Sequence, residues 1–173
     1  MDLQITPGPL SGTVTPPPSK SQSHRLLICA ALTGEQSYVR HLAESRDIEA
    51  TRRCLDALQE PVDLPLLDCG ESGSTLRFLI PLALVLRGGA RFTGHGRLMD
   101  RPQEPYEAIF RQQGLYCCKE DHILTVEGSL SPGTFSLPGN VSSQFISGLL
   151  FALPLLDEDS EIQIGRASCR ERV

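Results

Sequence analysis

Apolar and polar positions follow two rhythms along this chain. Leu26–Leu32 is an unbroken apolar run that follows a polar cluster, Ser19–Arg25, and stops near Gly34, as a capped helix would. Asp47–Gln59 places Ile48, Cys54, Leu55 and Leu58 near one helical face, with Ser45 or Asp47 as the cap. Leu76–Leu86 is a second apolar helix whose interior Pro81 should kink it. Glu104–Gln113 is amphipathic and closed by Gly114, and Phe145–Leu156 is a third apolar helix. Shorter runs predict strands at Ser37–Leu42, Leu64–Cys69, Arg91–Thr93 and Thr134–Leu137. Leu115–Cys118 and Ile123–Glu127 read as a strand pair turning over Lys119–His122. Residues 2–14 read as a short strand region with two turns, and Pro16–Pro18 stiffens the connection that follows.

Helices and strands alternate, which predicts an α/β fold. The order helix, strand, helix, strand occurs twice, the second time with the added strand pair. Each of the three apolar helices opens from a loop rich in Ser, Gly or Thr, and they lie about 50–70 residues apart. That spacing is too long for a solenoid and predicts a pseudo-symmetric compact domain.

Composition narrows the class. With 173 residues, 40% of them apolar and 21% charged, the chain can form a core and is unlike a disordered one. Its formal net charge of −5 argues against a general nucleic-acid binder. The apolar runs Leu79–Leu86 and Leu149–Leu156 are too short to cross a bilayer, and each contains a proline. The first residues lack the pattern of a signal peptide, so the expected location is the cytoplasm. Six cysteines show no C-x-x-C pair and no zinc-finger spacing to histidine. They are expected to be reduced, with Cys29 and Cys54 on buried helical positions.

The loops carry the chemistry. A helix N-terminus presents unpaired N–H groups and the positive end of the helix dipole, and Ser or Gly lets an anion approach closely. One such loop usually only caps its own helix. Three in one domain, with Lys20 and Arg25 in one and Arg77 in another, predict a cleft for phosphate or carboxylate groups. The loop Gly94–Pro102 adds Arg97 and Arg101. Neither the Walker phosphate loop nor the G-x-G-x-x-G dinucleotide fingerprint is present.

Four segments, in this order, carry a resemblance: Ser19-Lys20-Ser21-Gln22-Ser23-His24-Arg25, Gly73-Ser74-Thr75-Leu76-Arg77, Asp100-Arg101-Pro102 and Ser142-Ser143-Gln144-Phe145. Together they resemble the 5-enolpyruvylshikimate-3-phosphate synthases, from about Leu3 to Glu161. The resemblance implies repeated βαβαββ units and a two-domain enzyme with its site in the cleft between the domains. It implies transfer of the enolpyruvyl group of phosphoenolpyruvate to the 5-hydroxyl of shikimate 3-phosphate, with release of phosphate. No cofactor and no metal is implied. The implied partners are these two small molecules, without nucleic acid or membrane, in a monomer.

By the same resemblance, Lys20 contacts both substrates and takes part in catalysis. Ser21 and Arg25 hold shikimate 3-phosphate, Ser142 and Ser143 hold its phosphate, and Gln144 lies between the substrates. Gly73 lets the backbone approach phosphoenolpyruvate and Arg101 binds that substrate's charge. Arg77 is either a site residue or part of a structural ion pair, while His41 and His95 read as solvated loop residues. Retention of Gly73 implies inhibition by glyphosate. Some positions depart from the commoner family pattern: His24 stands where Asn is frequent, and Glu71-Ser72 where Asn-Ala is common. A carboxylate at Glu71 must point away from an anion site or pair with a cation.

The resemblance also sets domain expectations. Residues 1–18 are the first strand region of a second domain otherwise lacking, and residues 19–163 are an incomplete domain with two units and the start of a third. The last ten residues, Ile164–Val173, change composition abruptly and are also the translation of a common short-read sequencing adapter, so residues 164–173 are expected to be a non-native tail in which Cys169 has no function. The chain alone is therefore expected to be inactive. A non-catalytic anion-binding half-site is the alternative. A sister transferase acting on a UDP-sugar is disfavoured, because its reactive Cys belongs in the loop Gly94–Pro102, which has none.

Overall fold

A computed structural model describes residues 4, 7–9, 11–34 and 37–165. The helices are α1 (Lys20–Leu32), α2 (Arg46–Gln59), α3 (Gly73–Arg87), α4 (Glu104–Gln112) and α5 (Ser143–Ala152). The strands are β1 (Leu66–Asp68), β2 (Gly89–Thr93), β3 (Tyr116–Glu120), β4 (Ile123–Glu127), β5 (Thr134–Leu137) and β6 (Glu161–Ile164). Strands β1, β2, β4 and β3 form one sheet in that order. β1 runs parallel to β2, and both β2 and β3 run antiparallel to β4. β1–α3–β2–α4–β3–β4 is thus one complete βαβαββ unit. β5 and β6 form a second, parallel pair joined through α5, which repeats the β1–α3–β2 pattern.

Several expectations need correction. Residues 37–42 form no strand, and neither do the described residues among 2–14. The hairpin turns on two residues, Asp121 and His122, both at positive φ, so its strands run to Glu120 and from Ile123. α5 ends at Ala152 and tightens into a short 3₁₀ turn over Leu153–Leu155, where Pro154 cannot continue the helix. β6 was signalled by the alternation Glu161-Ile162-Gln163-Ile164. Ile164 pairs with Leu137, and the N–H of Gly165 donates to the same residue's carbonyl at 2.8 Å. The other residues of the expected tail, 166–173, lie outside the described residues. Cys29 is exposed, because the buried stripe of α1 runs through His24 and Ile28 instead. Cys54 and Cys69 are buried.

Helix α3 is the centre of the core, with Phe78–Leu84 buried without a break. It packs against β2, α2 and, most extensively, α5. Pro81 does not interrupt it. A proline there leaves the carbonyl of Arg77, four residues earlier, without its helical N–H. The buried Tyr106 hydroxyl takes that place, 2.7 Å from the Arg77 carbonyl and 2.9 Å from the Phe145 carbonyl on α5. Its ring packs edge-on against Phe145 and stacks on Phe110. Gly148 makes room for this junction: a β carbon there would collide with the Tyr106 hydroxyl and the Arg77 carbonyl and lie 3.2 Å from Pro81 Cγ.

A second device ties α1, α2 and α3 together within their first two turns. His24 Nδ1 lies 2.7 Å from Thr51 Oγ1, Thr51 Oγ1 2.7 Å from Thr75 Oγ1, and Thr75 Oγ1 2.7 Å from Ser72 Oγ. All four side chains are buried. Ser72 also caps α3 by accepting from the N–H of Thr75. Burial is the main reason that the His24 pKa falls from 6.5 to about 4. Asp47 opposes the shift, and Lys20 and Arg25 add to it.

Two outcomes are expected. In urea unfolding, Gly148→Ala should cost about 2 kcal/mol or more through overpacking. Tyr106→Phe should cost about 1–3 kcal/mol by stranding the Arg77 carbonyl. The second outcome concerns pH. Above pH 6.5 His24 is neutral folded or unfolded, so it adds no pH dependence; between 6.5 and about 4 only the unfolded chain takes up the proton, and stability falls with pH. Between about pH 7 and about pH 4.5 the natural chain should therefore lose roughly 2–3 kcal/mol more than a His24→Asn variant, at 1.36 kcal/mol per pKa unit.

Candidate functional site

Three helix N-termini and one loop converge. α1 opens at Lys20 behind the cap Ser19, whose side chain accepts from the N–H of Gln22. α3 opens at Gly73 behind Ser72, and α5 opens at Ser143 behind Ser142, whose side chain accepts from the N–H of Gln144. In each case a serine turns the chain into the helix and leaves the first N–H groups facing outward. The fourth element is the loop Gly94–Pro102. It is folded by N–H donation from His95 to Gly70, from Leu98 to His95 and from Arg101 to Leu98, and it is anchored by the buried Leu98 and Met99. The Lys119 ammonium, on the hairpin, donates to the Met99 carbonyl and braces the loop two residues before Arg101.

Side chains join these elements. Gln144 donates through Nε2 to Ser74 Oγ at 2.8 Å and accepts at Oε1 from Arg77 Nη1 at 2.8 Å. Arg77 also donates to the Pro102 carbonyl at 3.4 Å and lies over the Phe145 ring, 4.6 Å from its centroid. Among the described residues it makes no ion pair, so the expected alternative of a structural ion pair gives way to a grip on Gln144, and its Nε is buried with no hydrogen-bond partner among them. Burial and the nearby Arg101 lower its pKa from the ordinary guanidinium value. Arg101 itself is exposed and lies against Gly73: a β carbon on Gly73 would be 2.7 Å from Arg101 Nη1 and 3.7 Å from Gln144 Oε1. Gly73 is therefore required for this approach of arginine to helix.

Arg25 ties α1 to α5. It donates to Ser147 Oγ at 3.1 Å and to the Ser21 carbonyl at 2.9 Å, and it lies over the Phe78 ring. Lys20 stands apart, more than half exposed, with its ammonium 2.7 Å from Asp47 Oδ2. Ser21 and Ser143 are exposed and Ser142 half-buried. Of the expected residues, Gly73, Arg77, Arg101 and Gln144 form a tight group, Arg25 joins α1 to α5, and Lys20 lies apart on Asp47. Arg97 is exposed.

Glu71 resolves the expected conflict of charge. Its carboxylate lies beside Gly96, Oε1 being 2.5 Å from where a β carbon would stand. With Arg46, Arg53 and His95 it lines a concavity of about 540 Å³ that includes neither Arg101 nor Gln144. His95 Nε2 lies 3.2 Å from Asp68 Oδ2 on the surface. Residues missed from sequence are Asp47, Ser74, Ser147 and Lys119. Asp47 has a signal, a carboxylate at the start of an amphipathic helix, which marks it with Ser45 as one of two candidate caps. Ser45 is the cap, accepting from the N–H of Ile48, and this frees Asp47 for Lys20.

The expected cations are Lys20, Arg25, Arg77 and Arg101, and Asp47 is the one carboxylate within ion-pair distance of any of them among the described residues. Arg77 is engaged by Gln144 and the Pro102 carbonyl, whereas the neighbouring Arg101 is exposed, and a guanidinium suits a phosphate or carboxylate. Gln144, held at both ends of its amide, is a fixed dipole beside Arg77.

The sequence model of the family described as EPSP synthase (3-phosphoshikimate 1-carboxyvinyltransferase) matches residues 5–65 and 60–172. The 3-phosphoshikimate 1-carboxyvinyltransferase of Clostridium beijerinckii is 43% identical over 189 residues, covering 94% of this chain and 43% of that protein. The protein of the same name from Clostridium botulinum strain Alaska E43 is 44% identical over 186 residues, with the same coverage. The chain thus spans less than half the length of the curated relatives it matches. A solved structure of EPSP synthase from Acinetobacter baumannii superposes with a TM-score of 0.76 at 21% identity, covering 91% of this chain and 41% of that one, and shares the fold. Among the described residues no helix is long and apolar enough to cross a membrane. On the family match along nearly its whole length, this chain belongs to the EPSP synthase family.

Proposed function

We propose that this chain carries one face of the site that transfers the enolpyruvyl group of phosphoenolpyruvate to shikimate 3-phosphate. The observation that carries the reading is the group Gly73, Arg77, Arg101 and Gln144 at the meeting point of two helix N-termini. In the reaction, the 5-hydroxyl oxygen of shikimate 3-phosphate bonds to C2 of phosphoenolpyruvate while C3 gains a proton. The tetrahedral intermediate then loses a proton from C3 and inorganic phosphate from C2. No step needs a redox group. Negative charge must be held and moved, which fixed cations and dipoles do best when oriented in advance.

Each residue has a role in this proposal. Ser142, Ser143 and the α5 N-terminus hold the sugar phosphate, and Ser21 with Arg25 holds the shikimate ring and its carboxylate. Arg101, against Gly73, binds the charge of phosphoenolpyruvate. Gln144 lies between the two substrates, with Arg77 fixing its amide so that Oε1 is occupied and Nε2 is directed. Lys20 touches both substrates and carries the proton, and Asp47 keeps its ammonium in place between turnovers. The face is open to solvent, and the reading assigns the opposite wall to the part of the family's length that this chain does not span. The enzyme acts as a cytoplasmic monomer on small molecules, and the acidic balance fits a protein that avoids nucleic acid.

A chimera tests this directly. Residues 1–163 joined to the part of the C. beijerinckii relative that this chain does not cover should release phosphate from the two substrates, and the 173-residue chain alone should not. Lys20→Ala and Arg101→Ala in the chimera should each lower kcat/KM at least about a hundredfold. Wild-type turnover in either variant would overturn the site assignment. Gly73→Ala gives a finer test, since its methyl group displaces the Arg101 guanidinium. The KM for phosphoenolpyruvate should rise about tenfold or more while that for shikimate 3-phosphate stays unchanged. Equal rises for both substrates would detach Arg101 from phosphoenolpyruvate.

A further inference from the structure

The buried chain from His24 to Ser72 contains a choice that its distances do not make. Each of its three 2.7 Å contacts needs one proton. The protons can run in either direction. If His24 carries its proton on Nδ1, that N–H donates to Thr51, Thr51 donates to Thr75, and Thr75 donates to Ser72. If the proton is on Nε2, every arrow reverses, and Thr51 donates into a bare Nδ1.

The surroundings of Nε2 decide. Among the described residues that atom is buried without a hydrogen-bond partner, in a side chain only 1% exposed, and the ring lies edge-to-face with Phe78, centroids 6.3 Å apart. A proton on Nε2 would be a buried donor with no acceptor, an arrangement that native interiors avoid and that costs the full desolvation of the group. A bare Nε2 leaves only an unmet acceptor, which buried interiors tolerate more often than an orphaned N–H. The doubly protonated ring is disfavoured for the same reason, and Lys20 and Arg25 on either side add to that.

We propose that His24 is a positioning residue: with its proton on Nδ1, it donates into a one-way chain of hydroxyls, Thr51 to Thr75 to Ser72, that holds the first two turns of α1 in register with the first two turns of α3. Those turns carry Lys20, Ser21 and Arg25 on one side and Gly73 and Arg77 on the other. His24 and Ser72 are also two of the positions at which the sequence departs from the commoner family pattern, and they are the two ends of this one chain. The lock itself does not depend on the proposed reaction; only its effect on ligand binding rests on that reading.

The direction has a consequence that can be measured. Asparagine at position 24 can donate through Nδ2 or accept through Oδ1, so it serves a chain running either way. Alanine at position 72 removes the terminal acceptor, which leaves Thr75 either the longer contact to the Asp47 carbonyl, at 3.4 Å, or a reversal of the chain toward Thr51. His24 cannot follow that reversal without burying a proton on Nε2, whereas asparagine can. His24→Asn and Ser72→Ala should therefore be non-additive. Each alone lowers Tm, and the double variant should melt about 4 °C or more above the sum of the two losses. Additivity within about 1 °C would overturn the one-way chain.

Long-range proton–nitrogen NMR on the 15N-labelled 173-residue chain reads the same point without a variant. The expected His24 signature is a pyrrole-type Nδ1 and a pyridine-type Nε2; the reverse assignment would overturn the proposal. For the positioning role, shikimate 3-phosphate titrated into the chain should bind about tenfold more weakly to His24→Phe and recover with His24→Asn. Equal affinity in all three would show that the lock does not position the α1 residues. A natural chain that binds no shikimate 3-phosphate would count against the proposed function, and the NMR signature and the melting cycle would then decide the lock by themselves.

Discussion

One hydroxyl group holds the site elements in register. Pro81 deprives the Arg77 carbonyl of its helical donor, Gly148 clears the space beside it, and Tyr106 fills the vacancy while also reaching Phe145 on the opposite helix. The cost of a proline inside a core helix is offset by a bond to a third element. Both carbonyls belong to residues at the site, since Arg77 grips Gln144 and Phe145 lies under the Arg77 guanidinium. Tyr106 comes from α4, which follows the Arg101 loop directly. One hydroxyl therefore fixes α3, α5 and that loop relative to one another, and burial holds its proton firmly by raising the phenol pKa well above its usual value.

Electrostatics explain why such a framework is needed. Arg77 and Arg101 repel one another, and no carboxylate lies within ion-pair distance of either among the described residues. Left to themselves, two long side chains would swing apart into solvent. Instead Arg77 is held by an amide, a carbonyl and an aromatic face, all neutral, and Arg101 is seated against a bare α carbon. Neutral partners orient the cations and leave their charge available. Glu71, the one acidic residue in the phosphate-binding style loops before α3, is turned to the other side.

Much of this was legible in the sequence. Serine before an apolar run marked all three helix starts, because capping is a local interaction that needs only the right oxygen at the right offset. Arg77 and Arg101 stand out as cations in the loops that open the helices, whereas Gly73 and Gln144 enter only through the resemblance. What sequence missed depends on non-local contacts. The strand expected at Ser37–Leu42 has the apolar content of a strand but pairs with nothing described here. Asp47 looked like a cap because helix starts favour acids, yet its partner is an ammonium 27 residues earlier. Ser74, Ser147 and Lys119 are ordinary surface residue types, and only the packing of distant elements aims them at Gln144, Arg25 and Met99. β6 could have been read from its two-residue alternation, but the abrupt change of composition that follows drew attention away from it.

The recurrence of a helix between two parallel strands has a consequence for where these contacts can form. α3 and α5 are corresponding elements of successive repeats, and they meet with their N-termini side by side. The seat of Arg101 against Gly73 lies within the first repeat, whereas the grip on Gln144 and the bridge through Tyr106 to Phe145 cross the seam between the two. One repeat alone therefore holds a loose arginine, and the second supplies the amide and the helix that complete the group.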